Sequence, residues 1–372
     1  MGADAVTVFL CGDVMLGRGV DQVLPGRGDP ELREGYVRDA RDYVGLAEAV
    51  NGPLPPLPVG FAWPWGDALG VLDAAAPDAR VINLETSVTR SDDFAPGKAV
   101  HYRMHPDNLP CLAAARPDVC VLANNHVLDF GRRGLRETLR TLSRAGLRTA
   151  GAGHDVAEAA APAAVPLGGG RRLLVFSFGM PSSGIPADWA ASRSRSGVAY
   201  VAGPGAAAAR ELTERVRQEK RPGDLVVASV HWGSNWGYPL PRDHTAFARA
   251  LVDGGVDLVH GHSSHHPRPL ELYRGRLVLY GCGDFIDDYE GISGYEQYRD
   301  DLRLAYLASL DPDTGRLTSL GITAFQARLL RLGPASPEDS RWLRELLARI
   351  GTGLRVREGT EGPPHAWTLV PS

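Results

Sequence analysis

Short, nearly unbroken runs of Val, Leu and Ile recur along this chain. Between them lie stretches in which apolar residues return every third or fourth position. The runs Ala5–Cys11, Val81–Leu84, Val119–Ala123, Leu173–Phe178, Leu225–Val230, Val256–His260, Leu277–Tyr280 and Leu304–Leu310 predict strands. Helical periodicity fits Arg132–Ala145, Ala207–Gln218, His244–Asp253 and Pro337–Ile350. The last begins with Ser336 as its N-cap and Pro337 at the first helical position, where a missing N–H costs nothing. Strands that alternate with helices predict an α/β fold. Strands that follow one another directly near the C-terminus predict that the sheet is mixed.

Two stretches show neither period. Asp21–Trp65 carries Asn51-Gly-Pro-Leu-Pro-Pro-Leu-Pro and then Phe61-Ala-Trp-Pro-Trp, and Phe178–Gly197 surrounds Trp189 with Pro, Ser and Gly. Loops of this length in a compact domain are usually functional or disordered, and their aromatics favour packing or substrate contact. No repeat or composition break divides the chain. The expected organisation is one domain over 1–330, with loop insertions at 21–65 and 178–197, and a C-terminal helix and tail at 331–372 packed on it.

Composition narrows the class. Of 372 residues, 44% are hydrophobic and 23% charged, which excludes whole-chain disorder. The net charge of −4 offers no basic domain, so nucleic acid is not an expected partner. Cys11, Cys111, Cys120 and Cys282 are scattered through apolar runs and read as reduced core thiols. The opening apolar run is about seven residues, too short for a signal peptide or a membrane span. A cytoplasmic protein without a membrane anchor is expected. Lysine occurs only at 98 and 220, against 38 arginines. That imbalance reads as a coding bias with little bearing on mechanism.

The chemistry gathers where apolar runs stop. Five segments end in polar residues: Phe9-Leu-Cys-Gly-Asp13, Val81-Ile-Asn83-Leu-Glu85, Val121-Leu-Ala-Asn124-Asn125-His126, Val230-His231-Trp232, and Val259-His260-Gly-His262-Ser-Ser-His265-His266. Ligands bind at the carboxyl ends of strands in α/β sheets. Asp, Glu, Asn and His converging there form a set of metal ligands. Gly281-Cys-Gly-Asp284 ends a run in the same way. Of eleven histidines, four lie within 260–266, and not all four can be ligands.

In this order the segments resemble the CapA-like proteins, named for poly-γ-glutamate capsule synthesis, of the calcineurin-like metallophosphoesterase superfamily. The resemblance spans roughly residues 6–310. It implies two packed mixed β-sheets flanked by helices, with a metal site at one sheet edge. It places Asp13, Glu85, Asn125, His231 and His262 at metal-binding positions and His126 at that of the catalytic histidine, and it matches His265 to the last histidine of the terminal motif. Two features depart from the superfamily: Asp13-Val-Met15 stands for Asp-x-His, and Asn-Leu-Glu85 for the bridging aspartate segment. One divalent ion (Ca²⁺, Mn²⁺ or Zn²⁺) is therefore expected rather than two.

Two imidazole–carboxylate pairs are conceivable, His126 with Asp129 and His265 with Asp284. A carboxylate orients an imidazole and raises its basicity. On opposite sides of a substrate carbon, such pairs allow proton removal on one face and delivery on the other. The alternative is that Asp129 caps the next helix and Asp284 completes a turn. Arg18 and Arg103 are candidate anion clamps. Trp232 and Trp236 are candidate pocket walls, although core packing is the commoner use of Trp. The favoured expectation is a metal-dependent peptide epimerase. It would invert an α-carbon, as the resemblance implies for the C-terminal residue, such as Trp, of a ribosomal lasso-peptide precursor. The alternatives are a metal-dependent hydrolase of phosphoester or γ-glutamyl linkages, or an accessory protein of poly-γ-glutamate synthesis.

Overall fold

A computed structural model describes residues 5–357 and 365–372. The chain opens a first sheet with β1 (Val6–Val14), β2 (Ala79–Leu84), β3 (Val119–Val121) and β4 (Arg148–Ala150). It then builds a second sheet from β5 (Ala163–Pro166), β6 (Arg172–Gly179), β7 (Leu225–His231), β8 (Leu258–His262), β9 (Leu270–Tyr273) and β10 (Arg276–Leu279). It returns to the first with β11 (Asp284–Ile286), β12 (Leu302–Leu310), β13 (Leu317–Ala327), β14 (Leu332–Pro334), β15 (Leu354–Val356) and β16 (Ala366–Pro371). The first sheet runs β15-β16-β13-β12-β1-β2-β3-β4, with β11 also beside β1 and β14 beside β13. The second runs β9-β10-β8-β7-β6-β5. β1 to β4 are parallel, as are β6, β7, β8 and β10, while β12 and β13 are antiparallel.

Alternate residues of each strand go to different layers. Val8 and Leu10 of β1, Val81 of β2, Val175 of β6 and Val227 of β7 fill the space between the sheets. Phe9, Cys11 and Ile82 face outward against Leu135, Leu139 and Leu142 of the helix Gly131–Arg144. Phe176 and Val226 face the opposite way, against Val216 and Phe247 of the helices Ala206–Glu219 and Arg242–Asp253. A strand covered on both faces needs apolar side chains at both parities, which is why these runs are unbroken. The expected architecture, two packed mixed sheets flanked by helices, is what the chain adopts.

The region 21–65 departs from the expected loop. Arg41–Asn51 is a helix that buries Tyr43, Val44 and Ala47. Its apolar stripe is narrow, and Gly45 and the nearby Gly-Pro punctuation mask it. Past the end of β6 at Gly179, the stretch to residue 197 holds the short turns Pro181–Ser183 and Ala187–Trp189 and ends at the short strand Gly197–Val198, paired with Ala152–Gly153. After residue 330, β14, the helix Pro337–Ile350, β15 and β16 extend the first sheet and its core, with Leu343 and Leu347 buried between layers. All four cysteines are buried and free. Among the described residues, no helix is long and apolar enough to cross a membrane.

Candidate metal centre

Parallel pairing delivers the polar strand ends to one edge of both sheets. Asp13 lies opposite Asn83 in the β1–β2 register and opposite Asp284 in the β1–β11 register. His231 lies opposite His262 at the ends of β7 and β8. The backbone carries part of the construction, because the Asp13 N–H donates to the Gly283 carbonyl at 3.0 Å. The Glu85 N–H donates to the Val14 carbonyl at 3.0 Å. Two asparagines set the side chains. Asn83 Nδ2 donates to Asp13 Oδ1 and to Glu85 Oε2, each at 2.8 Å. Asn124 Nδ2 donates to Asn83 Oδ1 at 3.0 Å, and its Oδ1 accepts the N–H groups of His126 and Val127. Asn124 thus shapes the turn that presents Asn125 and His126.

The ligand-type atoms converge. His231 Nε2 is 2.9 Å from Asn125 Oδ1 and 3.6 Å from Glu85 Oε1, and His231 Nδ1 is 2.7 Å from His262 Nδ1. Two groups of donors, Asp13/His231/His262 and Asp13/His265/Asp284, each lie within 4.8 Å and share Asp13. The residues fit a divalent cation. Asp13 Oδ2 is buried with no hydrogen-bond partner. Burial, then Asp284, pushes the Asp13 carboxyl up to about 7. Burial, then Asp13, pushes Glu85 well above the carboxylate range. Burial holds His231 and His262 well below the usual imidazole range, so both are neutral donors. Carboxylates crowded at this cost, beside neutral imidazoles, are what a bound cation stabilises. The expectation of one ion meets a centre whose two donor groups are joined at Asp13.

The imidazoles of both pairs come together at one cavity of about 230 Å³, which Glu85, Lys98, Tyr102, His126, His265 and Tyr289 help to line. His126 Nδ1 is 2.7 Å from Asp129 Oδ2, and His265 Nδ1 is 3.0 Å from Asp284 Oδ1. Asp129 caps no helix: it also accepts from the Tyr102 N–H at 2.7 Å and from Lys98 Nζ. Burial, relieved in part by Asp129, brings His126 down to about 4. Burial opposes charge on His265, but Asp284, Asp13 and Asp287 together outweigh it and the imidazole is shifted up. Tyr102 and Tyr289 join hydroxyls at 2.6 Å between the two pairs. Each ring packs edge-on to one histidine, Tyr102 to His126 and Tyr289 to His265.

Residues 7–289 match the profile of the family described as bacterial capsule synthesis protein PGA_cap. The chain belongs to this family. A probable polyglutamine synthesis accessory protein of Mycobacterium tuberculosis H37Rv is 52% identical over 370 residues, covering 99% of this chain and 97% of the relative. The PGA biosynthesis protein CapA of Bacillus subtilis 168 is 24% identical over 360 residues, covering 96% and 81%. The capsule biosynthesis protein CapA of Bacillus anthracis is 24% identical over 314 residues, covering 82% and 64%.

Within this PGA_cap chain, three expected substrate contacts lie elsewhere. Arg18 is buried, and its donors go to Asp288, Glu34 and Tyr43. Its guanidinium is a structural cation over the Tyr43 ring, not a free clamp. Arg103 spends Nη1 on the Ser91 carbonyl and Nη2 on the Asp29 carbonyl, tying loops together. Trp232 is buried in the outer layer of the second sheet, stacked on His244 and Tyr280, with Nε1 donating to the Tyr280 carbonyl. Trp236 is half-buried with its ring 5.3 Å from His265, so it stays at the rim. Of the histidine cluster, His262 and His265 face the centre. His266 accepts from the Gly237 N–H under Trp236, and His260 sits behind His262.

Arg18→Met should unfold the protein more readily, by about 3–5 kcal/mol, because it strands two buried carboxylates. Chemical denaturation reads the loss, and calorimetry on the folded fraction should find metal binding retained. An unchanged denaturation midpoint would return Arg18 to the list of ligand contacts.

Lys98 escaped the sequence reading. Its ammonium bonds the Asn125 carbonyl and Asp129 and lies 3.3 Å from His126 Nδ1. The signal was present: a chain that uses arginine almost everywhere keeps a lysine here. A compact ammonium fits between two acceptors, the Asn125 carbonyl and Asp129, close beside the His126 ring, where a planar guanidinium does not.

Proposed function

We propose that this chain is a metal-binding accessory factor in the synthesis of a glutamyl polymer. The observation that carries the reading is the identity of 52%, along 99% of this chain, with the mycobacterial relative named as a probable polyglutamine synthesis accessory protein. The site is compatible with a chemical part in that process. Asp13, Glu85, Asn125, His231 and His262 would hold the ion, with Asp284 and His265 joined to them through Asp13. A divalent cation supplies Lewis acidity toward a carbonyl or phosphoryl oxygen. The protein's own residues do the rest. Lys98 and Asp129 hold the His126 ring toward the cavity, Asp284 holds His265, and the tyrosine hydroxyls lie between them. A glutamyl chain is the peptide partner this reading assigns.

A second reading, acid–base inversion at a peptide α-carbon, is favoured by one feature: His126 and His265, each bonded to a carboxylate, line the same cavity. Proton removal by one imidazole and return by the other needs that placement.

Complementation tests the proposal. In a polymer-producing bacterium whose own copy of this family is deleted, this chain should restore the glutamyl polymer, and Asp13→Asn should not. Folded wild-type protein without restored polymer would overturn it. Purified protein in D₂O that places deuterium at one α-carbon of a supplied peptide, without cleavage, would establish the second reading instead.

A further inference from the structure

Two buried polar groups behind the centre have no part in the chemistry above, Ser229 on β7 and His260 on β8. They are direct neighbours in the strand register, two residues before His231 and His262 and on the same face. We propose that His260 and Ser229 are positioning residues: a relay from the Cys11 carbonyl through both fixes the His262 proton on Nε2 and leaves Nδ1 bare toward the metal position. The inference rests on the metal-centre reading and deepens it.

His260 Nε2 lies 2.8 Å from the Cys11 carbonyl, which can only accept, so Nε2 carries the proton. His260 is fully buried and none of its hydrogen bonds is to a carboxylate, so its ring is neutral and Nδ1 must accept. Its partner is the Ser229 hydroxyl at 3.0 Å. A hydroxyl has one proton, and here it is spent on His260. Toward His262 Nε2, at 2.9 Å, Ser229 Oγ can then only accept, so Nε2 of His262 is the N–H. His262 is buried and neutral as well, so its Nδ1 presents a lone pair, 2.7 Å from His231 Nδ1. The relay is polar in one direction because a main-chain carbonyl anchors its far end. A ligand histidine usually owes its tautomer to a carboxylate or a carbonyl bonded to its other nitrogen. Here the carbonyl acts through two intervening side chains.

The test uses ¹⁵N-histidine-labelled, metal-free full-length protein. Long-range ¹H–¹⁵N correlations distinguish the two tautomers, and the His262 signals are those lost in His262→Gln. The wild type should show Nε2–H at His262. This measurement needs no relay variant to fold. Mn²⁺ affinity by calorimetry should fall about 10–100-fold in Ser229→Ala and recover in Ser229→Thr, which restores the hydroxyl. Metal-free melting curves would show that both variants fold. An Nδ1–H tautomer at His262, or Ser229→Ala binding Mn²⁺ as the wild type does, overturns the relay. Wild-type protein with the Nε2–H tautomer but no Mn²⁺ uptake overturns the metal-centre reading, and the relay loses its purpose with it. The two failures are therefore distinguishable.

Discussion

Asp13→Asn should abolish tight divalent-metal binding and at the same time raise the melting temperature of the metal-free protein at neutral pH. Asp13 is the one residue common to both donor groups. Its Oδ1 is held by Asn83, and its Oδ2 is buried without a partner. Losing an anionic ligand should cost at least about 100-fold in affinity, beyond the 10–100-fold typical of an outer hydrogen-bond partner. The opposite effect on stability follows from the same burial. Asp13, Glu85 and Asp284 crowd together out of water, and a carboxyl pushed up to about 7 marks an anion the folded state resists. A neutral amide keeps the Asn83 hydrogen bond and removes one of the repelling charges, a gain on the order of 1–3 kcal/mol. Calorimetric titration with Mn²⁺ and melting curves in EDTA read the two effects separately. Unchanged affinity would place the ion elsewhere, and a lower melting temperature would mean that the carboxylates are already compensated by protein groups.

Gly12→Ala should destabilise the fold by more than about 4 kcal/mol, and most of the protein should be recovered insoluble. A Cβ at residue 12 would sit 1.6 Å from the Gly283 carbonyl oxygen and 2.5 Å from its carbon. Both are backbone atoms, so no rotamer change relieves the clash. β1 and β11 would have to separate, which breaks the Asp13–Gly283 hydrogen bond and the opposition of Asp13 and Asp284. Gly45 is the internal control. It is an exposed glycine within the helix Arg41–Asn51, and a Cβ there meets nothing within 4 Å. Gly45→Ala should therefore stabilise by about 0.5–1 kcal/mol. Urea denaturation of the pair decides the matter, and equal midpoints would refute the close-approach argument.

The amino-acid sequence by itself determined where most strands of the two sheets lie, because strands buried on both faces must be apolar at consecutive positions. It also determined which residues arrive at the sheet edge: Asp13, Glu85, Asn125, His231 and His262 each follow such a run, and parallel pairing brings those ends together. What it left open depends on partners distant in the chain. β13 is interrupted by Ser319, Gly321 and Thr323, and it becomes a strand by pairing with β12 along nearly its whole length. A guanidinium serves a ligand or a buried carboxylate equally well. Only the tertiary structure brings Asp288, 270 residues away, onto Arg18. Trp232 reads alike as a pocket wall or a core ring until Tyr280 and His244 enclose it. His260 and His262, two apart on one strand, point to the same face and are indistinguishable by pattern. Their depth decides between them: His260 ends on a main-chain carbonyl and His262 faces the donor cluster. Lys98 reaches the site across a loop, so no periodicity announces it, and its place follows from the Asn125 carbonyl and the Asp129 carboxylate that the fold gathers around one ammonium.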